Sequence, residues 1–367
     1  MATKGYHSYR GRRSGRSWLL VAVLVLLLAA ACAYLFLQRY LRYTDDGGMY
    51  FALPFLEETA AEPDVQPESG EEEREMNLVI EEPEESEPAE EPYGDRRLLG
   101  LDAPPADAET LNALLAQTGA NGFVCSLRDN AGLVYYTSTA ALRDAVASGA
   151  ADAQTLSQLC QETEALAVAR LNCFHDSYYA WANMETAGLC QGSGYIWYDS
   201  LSYHWLDPAK EAARAYVISL AVECAQMGFD ELLLEEMQYP ASGNLEKISY
   251  AGGEAGRTES LVLFLTELRA ALEPYGTKVS LLVDGRLLTA EGDPAYAETT
   301  GLDLTQLLPL VDAVYTETAD LEAAQAALEA LAGEGEAPAL VSLTAAPAEG
   351  SDGGTEALPD AGNWYIP

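Results

Sequence analysis

The residues best placed to do chemistry lie at the end of one stretch, Gly228–Pro240, which reads Gly-Phe-Asp-Glu-Leu-Leu-Leu-Glu-Glu-Met-Gln-Tyr-Pro. It opens on a helix-stopping glycine and runs through three leucines into the paired carboxylates Glu235 and Glu236. A short apolar run with polar groups gathered at its C-terminal end is the mark of a buried parallel strand. A further carboxylate, Asp284, holds the same position after Val279-Ser280-Leu281-Leu282-Val283. Two carboxylates at the ends of adjacent strands suit glycoside hydrolysis. One stays protonated to donate to the leaving oxygen, and the other stays ionised as nucleophile or base.

Side chains alternate along a strand, so each facing follows from its neighbours. Leu232 and Leu234 fit a helix-facing side, which turns Glu231, Leu233 and Glu235 inward. Val279, Leu281 and Val283 do the same for Ser280, Leu282 and Asp284. In Leu166–Cys173 the small and apolar Ala167, Ala169, Leu171 and Cys173 leave Arg170 and Asn172 inward, and in Gly122–Leu127 the parity of Ser126 carries Arg128 with it. Arg128, Arg170, Asn172, Glu235 and Asp284 are therefore expected to converge on one interior. Arg170 would hold one carboxylate ionised while burial raises the pKa of the other. A competing reading makes Glu231 and Arg170 a buried ion pair that only fills the interior. Glu236 reads as a loop or helix-side carboxylate.

His175 and Asp176 end their strand where a substrate would pass. Trp197, Trp205, Tyr178, Tyr179 and Tyr239 have the flat faces on which pyranose rings stack. Asp207 reads as a helix N-cap first and a ligand second. No Gly-rich phosphate loop, HExxH, CxxC or Gly-x-Ser-x-Gly pattern occurs, and three scattered histidines argue against zinc, so no metal or cofactor is expected.

The elements that must position these residues recur regularly. Eight short apolar runs lie near Leu98–Leu101, Gly122–Leu127, Leu166–Cys173, Glu231–Glu235, Val279–Val283, Asp312–Thr316, Ala339–Leu343 and Asn363–Ile366. Helical patterns separate most of them, the clearest being Pro208–Met227, Ser260–Leu272 and Leu321–Leu331. Strands alternating with helices imply a parallel sheet, and residues 96–367 have the length of a (β/α)8 TIM-like barrel. Chemistry in that fold sits at the C-terminal ends of the strands.

Three stretches resemble a bacterial family described as the putative glycosyl hydrolase domain, which is assigned to the TIM-barrel glycosidases. Gly228–Pro240 is similar to its G-F-D-E-I-Q-F-D-Y-I-R-F-P element, keeping Gly228, Phe229, Asp230, Glu231 and Pro240, with Tyr239 for Phe. Glu235 stands for Asp, Glu236 for Tyr and Gln238 for Arg. Ala169–Asp176 is similar to A-R-I-V-V-F-K-D, and Trp205-Leu206-Asp207-Pro208 to W-x-D-P. The likeness covers most of residues 98–316 and fades at Val314–Thr318, where the family has a P-M-x-Y-P-S-like segment. It implies a glycoside hydrolase barrel, in which strand position and parity make Glu235 and Asp284 the catalytic candidates. Arg128, Arg170, Asn172, Asp176, Trp205 and Tyr239 would line the substrate.

The rest of the chain reads as appendage. Trp18–Leu37 is an uncharged apolar run of 20 residues preceded by Lys4, Arg10, Arg12, Arg13 and Arg16. At ~1.5 Å per residue it matches one hydrocarbon thickness. It is expected to be an uncleaved signal anchor in the cell membrane, with residues 1–17 cytoplasmic and everything after it extracytoplasmic. Ala29-Ala30-Ala31-Cys32 imitates a processing site, but the apolar run continues past it. Residues 38–95 form a linker, within which residues 57–95 are a Glu/Pro-rich spacer with one apolar patch, Leu78-Val79-Ile80. The net charge of −38 leaves nothing to attract nucleic acid. Five cysteines outside the apolar run are an odd number, and no disulfide framework is expected. Two functions remain: a membrane-anchored glycoside hydrolase acting on a cell-envelope or environmental polysaccharide, or a degenerate barrel that binds glycan or a protein partner.

Overall fold

Eight strands pair side by side, all parallel, and the last returns to the first to close a barrel. They are β1 Arg97–Leu101, β2 Gly122–Arg128, β3 Leu166–Asn172, β4 Glu231–Glu235, β5 Lys278–Val283, β6 Ala313–Thr316, β7 Ala339–Leu343 and β8 Trp364–Ile366. Each lies within a residue or two of an apolar run in the sequence. The computed structural model describes residues 41–43, 49–51, 95–101, 107–253, 255–333, 335–344 and 363–367. The chain divides into two units, Met1–Glu84 and Glu85–Pro367. In the first, Leu41–Tyr43 pairs antiparallel with Met49–Phe51. Trp18–Leu37, residues 1–17 and Leu78-Val79-Ile80 lie outside the described residues. Among the described residues no helix is long and apolar enough to cross a membrane.

Alternation along the strands sorts side chains into two cores. Leu98, Val124, Leu166, Val168, Leu233, Ala313, Tyr315, Val341 and Tyr365 pack inside the barrel. Phe123, Leu127, Ala169, Leu171, Leu232, Leu234, Val279, Leu281 and Val314 pack outward against the helices. These helices are α1 Ala108–Thr118, α2 Ala153–Glu162, α3 Ser177–Ala182, α4 Glu211–Gln226, α5 Arg257–Leu272, α6 Pro294–Thr300, α7 Leu304–Leu307 and α8 Leu321–Ala332. Asp caps start six of them, with the carboxylate of Asp107, Asp152, Asp176, Asp293, Asp303 or Asp320 accepting a backbone N–H of the first turn. The helix expected from Pro208 begins at Glu211 instead. Asp207 is fully buried and accepts from the Ala209 and Ala251 amides and the Tyr239 hydroxyl.

Two excursions modify the barrel. After β2 the chain adds Val134–Tyr136, antiparallel to β2, and then Val146–Ala151, parallel to that strand. After β3, residues 173–206 fold into a small hairpin held by the bridges His175–Trp205, Gly188–Leu206, Cys190–Ile196 and Tyr198–His204. Cys125, Cys160, Cys173, Cys190 and Cys224 are free thiols.

Candidate functional site

An open cavity of about 680 Å³ sits at the C-terminal ends of the strands, lined by Glu235, Glu236, Gln238, Asp284, Tyr296 and Glu317 among others. It occupies the mouth where a (β/α)8 barrel places its chemistry. Strand β4 delivers Glu235 as its last residue, inward as parity requires, and strand β5 delivers Asp284 one residue past its end. The two carboxylates expected to pair do line one cavity.

Glu235 is held in a two-point grip. Arg170 Nε donates to Oε2 at 2.9 Å and Nη2 to Oε1 at 2.7 Å, both side chains being about a quarter exposed. The planar fork of arginine matches a carboxylate in this way and fixes its orientation. The buried pair expected between Arg170 and Glu231 does not form. Glu231, fully buried lower in the barrel, accepts from Arg96 Nε at 3.1 Å, Ser280 Oγ at 2.7 Å and Tyr315 Oη at 2.7 Å. Arg96 precedes β1 and reaches Glu231 through the barrel, a pairing that only closure of the sheet creates.

Glu236 is the carboxylate that sequence reasoning set aside. Its backbone turns into the left-handed region at φ 48°, which costs a non-glycine residue of order 1 kcal/mol or more. That turn ends the strand alternation, so Glu236 joins Glu235 on the cavity instead of pointing to the helices. Burial raises its pKa, the neighbouring Glu235 charge adds to this, and Asp199 contributes less. The 3.1 Å hydrogen bond from Gln238 Nε2 opposes them, and the carboxyl is pushed up to about 7. Gln238 Oε1 in turn accepts from Tyr296 Oη at 3.3 Å. Its amide orientation is thereby set.

Asp284 is the electrostatic opposite. Burial works to raise its pKa, but the Arg286 amide at 3.0 Å and the Arg286 guanidinium at 3.0 Å outweigh it and hold the carboxyl below its ordinary value. Arg286 also lies over the Tyr296 ring, 4.5 Å from its centroid. The mouth thus holds one carboxyl biased toward the proton and one biased against it, the division of labour that acid–base catalysis on a glycosidic bond needs.

The remaining candidates are sorted by the fold. A β-bulge shifts the register of β2 against β3, so that Ser126 stands opposite Arg170 but Arg128 opposite Leu171. Leu171 faces the helices, and Arg128 follows it out of the interior. There Arg128 is buried against Asp176, the Asn172 and Cys173 carbonyls, and the Tyr216 ring of α4 at 5.5 Å. Asp176 is fully buried in that pair, caps α3 through the Tyr179 amide at 2.6 Å, and packs on Gly132. At Gly132, with φ 89°, a Cβ would come within 2.5 Å of the Asp176 carboxyl. Asn172 is buried, its carboxamide oxygen accepting from the His175 amide at 3.2 Å. Trp197, Trp205 and Tyr239 are buried packing residues. Of the sequence candidates, Glu235, Asp284 and, through Glu235, Arg170 meet at the mouth, while Arg128 and Asp176 brace the wall behind it. Among the described residues no group of three or more His, Cys, Asp or Glu side chains is arranged to hold a metal ion.

Residues 103–316 match the model of the family described as a putative glycosyl hydrolase domain. The chain belongs to this family. The match runs to the end of β6, where the sequence resemblance fades, and the domain is a glycoside hydrolase-like barrel. No curated protein matches the sequence. Solved structures similar to it include a hypothetical protein from Ruminiclostridium thermocellum, 24% identical with a TM-score of 0.40, covering 47% of this chain and 89% of that one. They also include the glycoside hydrolase domain of PelA from Pseudomonas aeruginosa, 16% identical with a TM-score of 0.42, covering 70% and 85%. The GH20 exo β-N-acetylglucosaminidase from Vibrio harveyi is 12% identical with a TM-score of 0.42, covering 68% and 41%. Glu235, Glu236, Gln238 and Asp284 all lie within the matched span.

Proposed function

We propose that the barrel hydrolyses glycosidic bonds, with Glu236 as the general acid and Asp284 as the ionised partner, on a cell-envelope or environmental polysaccharide. The observation that carries this reading is Glu236: a carboxyl in a strained backbone, facing an open cavity, with a pKa pushed up to about 7. Such a group keeps a substantial share of its proton up to near-neutral pH and can give it to the leaving oxygen. Glu235, gripped by Arg170, supplies the negative charge that keeps that proton on Glu236 and orients the mouth. The apolar run Trp18–Leu37, flanked by basic residues on its N-terminal side, supports a membrane anchor with the barrel outside the cytoplasm.

The test is turnover of a polysaccharide panel by the wild type, Glu236→Gln and Asp284→Asn. Loss of activity in both variants, with cooperative unfolding retained, is the expected result. Full activity in Glu236→Gln overturns the assignment. A second reading is favoured by one feature: both oxygens of Glu235 are occupied by Arg170, as in a barrel that binds glycan without turning it over. Binding with no turnover in the wild type selects that reading.

A further inference from the structure

The hairpin that follows β3 carries aromatic rings that the core does not use. Trp181 is 66% exposed, Tyr195 72% and Tyr198 55%, whereas the other tryptophans among the described residues, Trp197, Trp205 and Trp364, are buried. The ring of His204 ties two of them together. It stacks on Trp181 with centroids 5.3 Å apart and planes at 25°, and meets Tyr198 edge-on at 6.5 Å. Its Nδ1 lies 2.9 Å from the Trp197 carbonyl, and its backbone N–H donates to Ser177 Oγ at 3.0 Å. The central ring is tied through Nδ1 and its backbone through the amide, and the two outer rings stay more than half exposed.

The hairpin also abuts the barrel mouth. The Phe174 amide donates to the Glu236 carbonyl at 3.3 Å. His175 follows, stacked on Trp205 at 4.4 Å with its Nε2 3.1 Å from Asp199 Oδ2. Asp199 ties down the turn beyond it by accepting from the Leu201 and Tyr203 amides and from Trp205 Nε1. Tyr198 immediately precedes Asp199 in the chain. The excursion that carries the exposed rings is thus joined to the end of β4, and the carboxyl of Glu236 feels the charge of Asp199.

The charge of this excursion narrows the ligand. Cys173–Ala209 contains no lysine or arginine and four acidic residues, Asp176, Glu185, Asp199 and Asp207. Lys210, next in the chain, turns its ammonium into the excursion and spends it on the Met184, Glu185 and Gly188 carbonyls at 3.4, 3.1 and 2.7 Å, so the segment's own side chains are net acidic and offer a polyanion or an anionic lipid surface little attraction. Flat aromatic faces beside a pocket with an acid suit the apolar faces of uncharged pyranose rings.

We propose that Trp181, His204 and Tyr198 form a stacking surface for an uncharged glycan chain that extends out of the barrel mouth. The domain then binds a polymer along several sugars, instead of a single terminal residue. This rests on reading the mouth as a glycan site.

The experiment is affinity electrophoresis of the full chain through gels containing a mixed-linkage β-glucan, a xylan or a galactomannan. It is run in the Glu236→Gln background so that cleavage does not enter the readout. At least one of these neutral polymers should retard the protein. Trp181→Ala should weaken that retardation about tenfold, Tyr198→Ala less, and Trp181→Phe should keep most of it, with melting unchanged because the side chain is exposed. Equal retardation of Trp181→Ala and its parent, or no retardation by any of the three polymers, overturns the proposal. So does a Trp181-dependent attachment to phosphatidylcholine vesicles, or a Trp181-dependent dimer, without polysaccharide binding. Hydrolysis persisting in Glu236→Gln removes the catalytic assignment but leaves this outcome intact, so the two failures are separable.

Discussion

Strand β4 carries two inward carboxylates four residues apart, Glu231 near the barrel floor and Glu235 at its mouth, and the two have opposite surroundings. Glu231 is sealed, with Arg96, Ser280 and Tyr315 all donating to it, and no solvent reaches it. Burial and the nearby Glu231 charge push the Tyr315 hydroxyl well above its ordinary pKa, so it stays a donor. Glu235 meets a single arginine, keeps about a quarter of its side chain exposed, and stands beside a second carboxyl that it helps to keep protonated. An ion pair saturated with donors has no capacity left for a substrate, whereas one at the rim leaves a neighbouring proton unspent. Position along a strand, not residue type, separates structure from chemistry here.

The sharpest way to break this comparison is at the floor. Glu231→Gln removes the buried charge on which Arg96, Ser280 and Tyr315 converge, and should destabilise the fold by ~3–5 kcal/mol in denaturant melts. A loss under 1 kcal/mol would show that the floor tolerates what only the mouth was expected to tolerate.

At the mouth, Glu236→Gln should lower turnover by ~100-fold or more while the fold stays intact. Its pH signature has a definite sign. A carboxyl whose folded pKa is raised from 4.5 to about 7 binds its proton more tightly when folded. It contributes stability that is fully present below about 4.5 and is lost as pH rises through about 7, by ~1–3 kcal/mol. Wild-type turnover should fall on the alkaline side of about 7, and the loss of stability between about 4.5 and about 7 should be absent in Glu236→Gln. A variant as pH-sensitive as the wild type would assign the titration elsewhere.

Glu235→Gln sharpens the contrast by removing the charge beside Glu236. The alkaline limb of the rate profile should move to lower pH, and the melting loss should be ~1 kcal/mol, smaller than at Glu231, because solvent reaches Arg170. An unmoved limb would deny that Glu235 acts on its neighbour.

The smallest stability effect is expected at Asp284, whose pair with Arg286 is solvent-exposed. Asp284→Asn should change stability by under ~1 kcal/mol. The depressed pKa of Asp284 gives stability that is present above about 3.8 and fades as pH falls through its lower folded value. Turnover, if Asp284 is the ionised partner, should fall far more than stability does. Equal and small losses in both would leave Asp284 as a simple cap of the turn at Gly285–Leu288.

What the sequence determined by itself is the barrel and the facing of two of its strands. Eight apolar runs marked all eight strands, because a strand buried on both faces must be apolar along its length whatever the rest of the chain does. Parity placed Arg170, Glu235 and Glu231 inward because β3 and β4 are regular, and alternation in a regular strand is a local rule. Tertiary structure decided what local rules do not contain. A bulge turned Arg128 out of the interior, and closure of the sheet gave Glu231 the distant Arg96 in place of Arg170. A left-handed backbone at Glu236, paid for by the surrounding packing, brought a carboxylate that parity points outward onto the cavity. Burial divided the aromatic residues, placing Trp197, Trp205 and Tyr239 in the core and leaving Trp181 and Tyr198 exposed around His204. Each of these depends on residues far apart in the chain meeting in space, and the energy of that meeting is written in no single stretch of sequence.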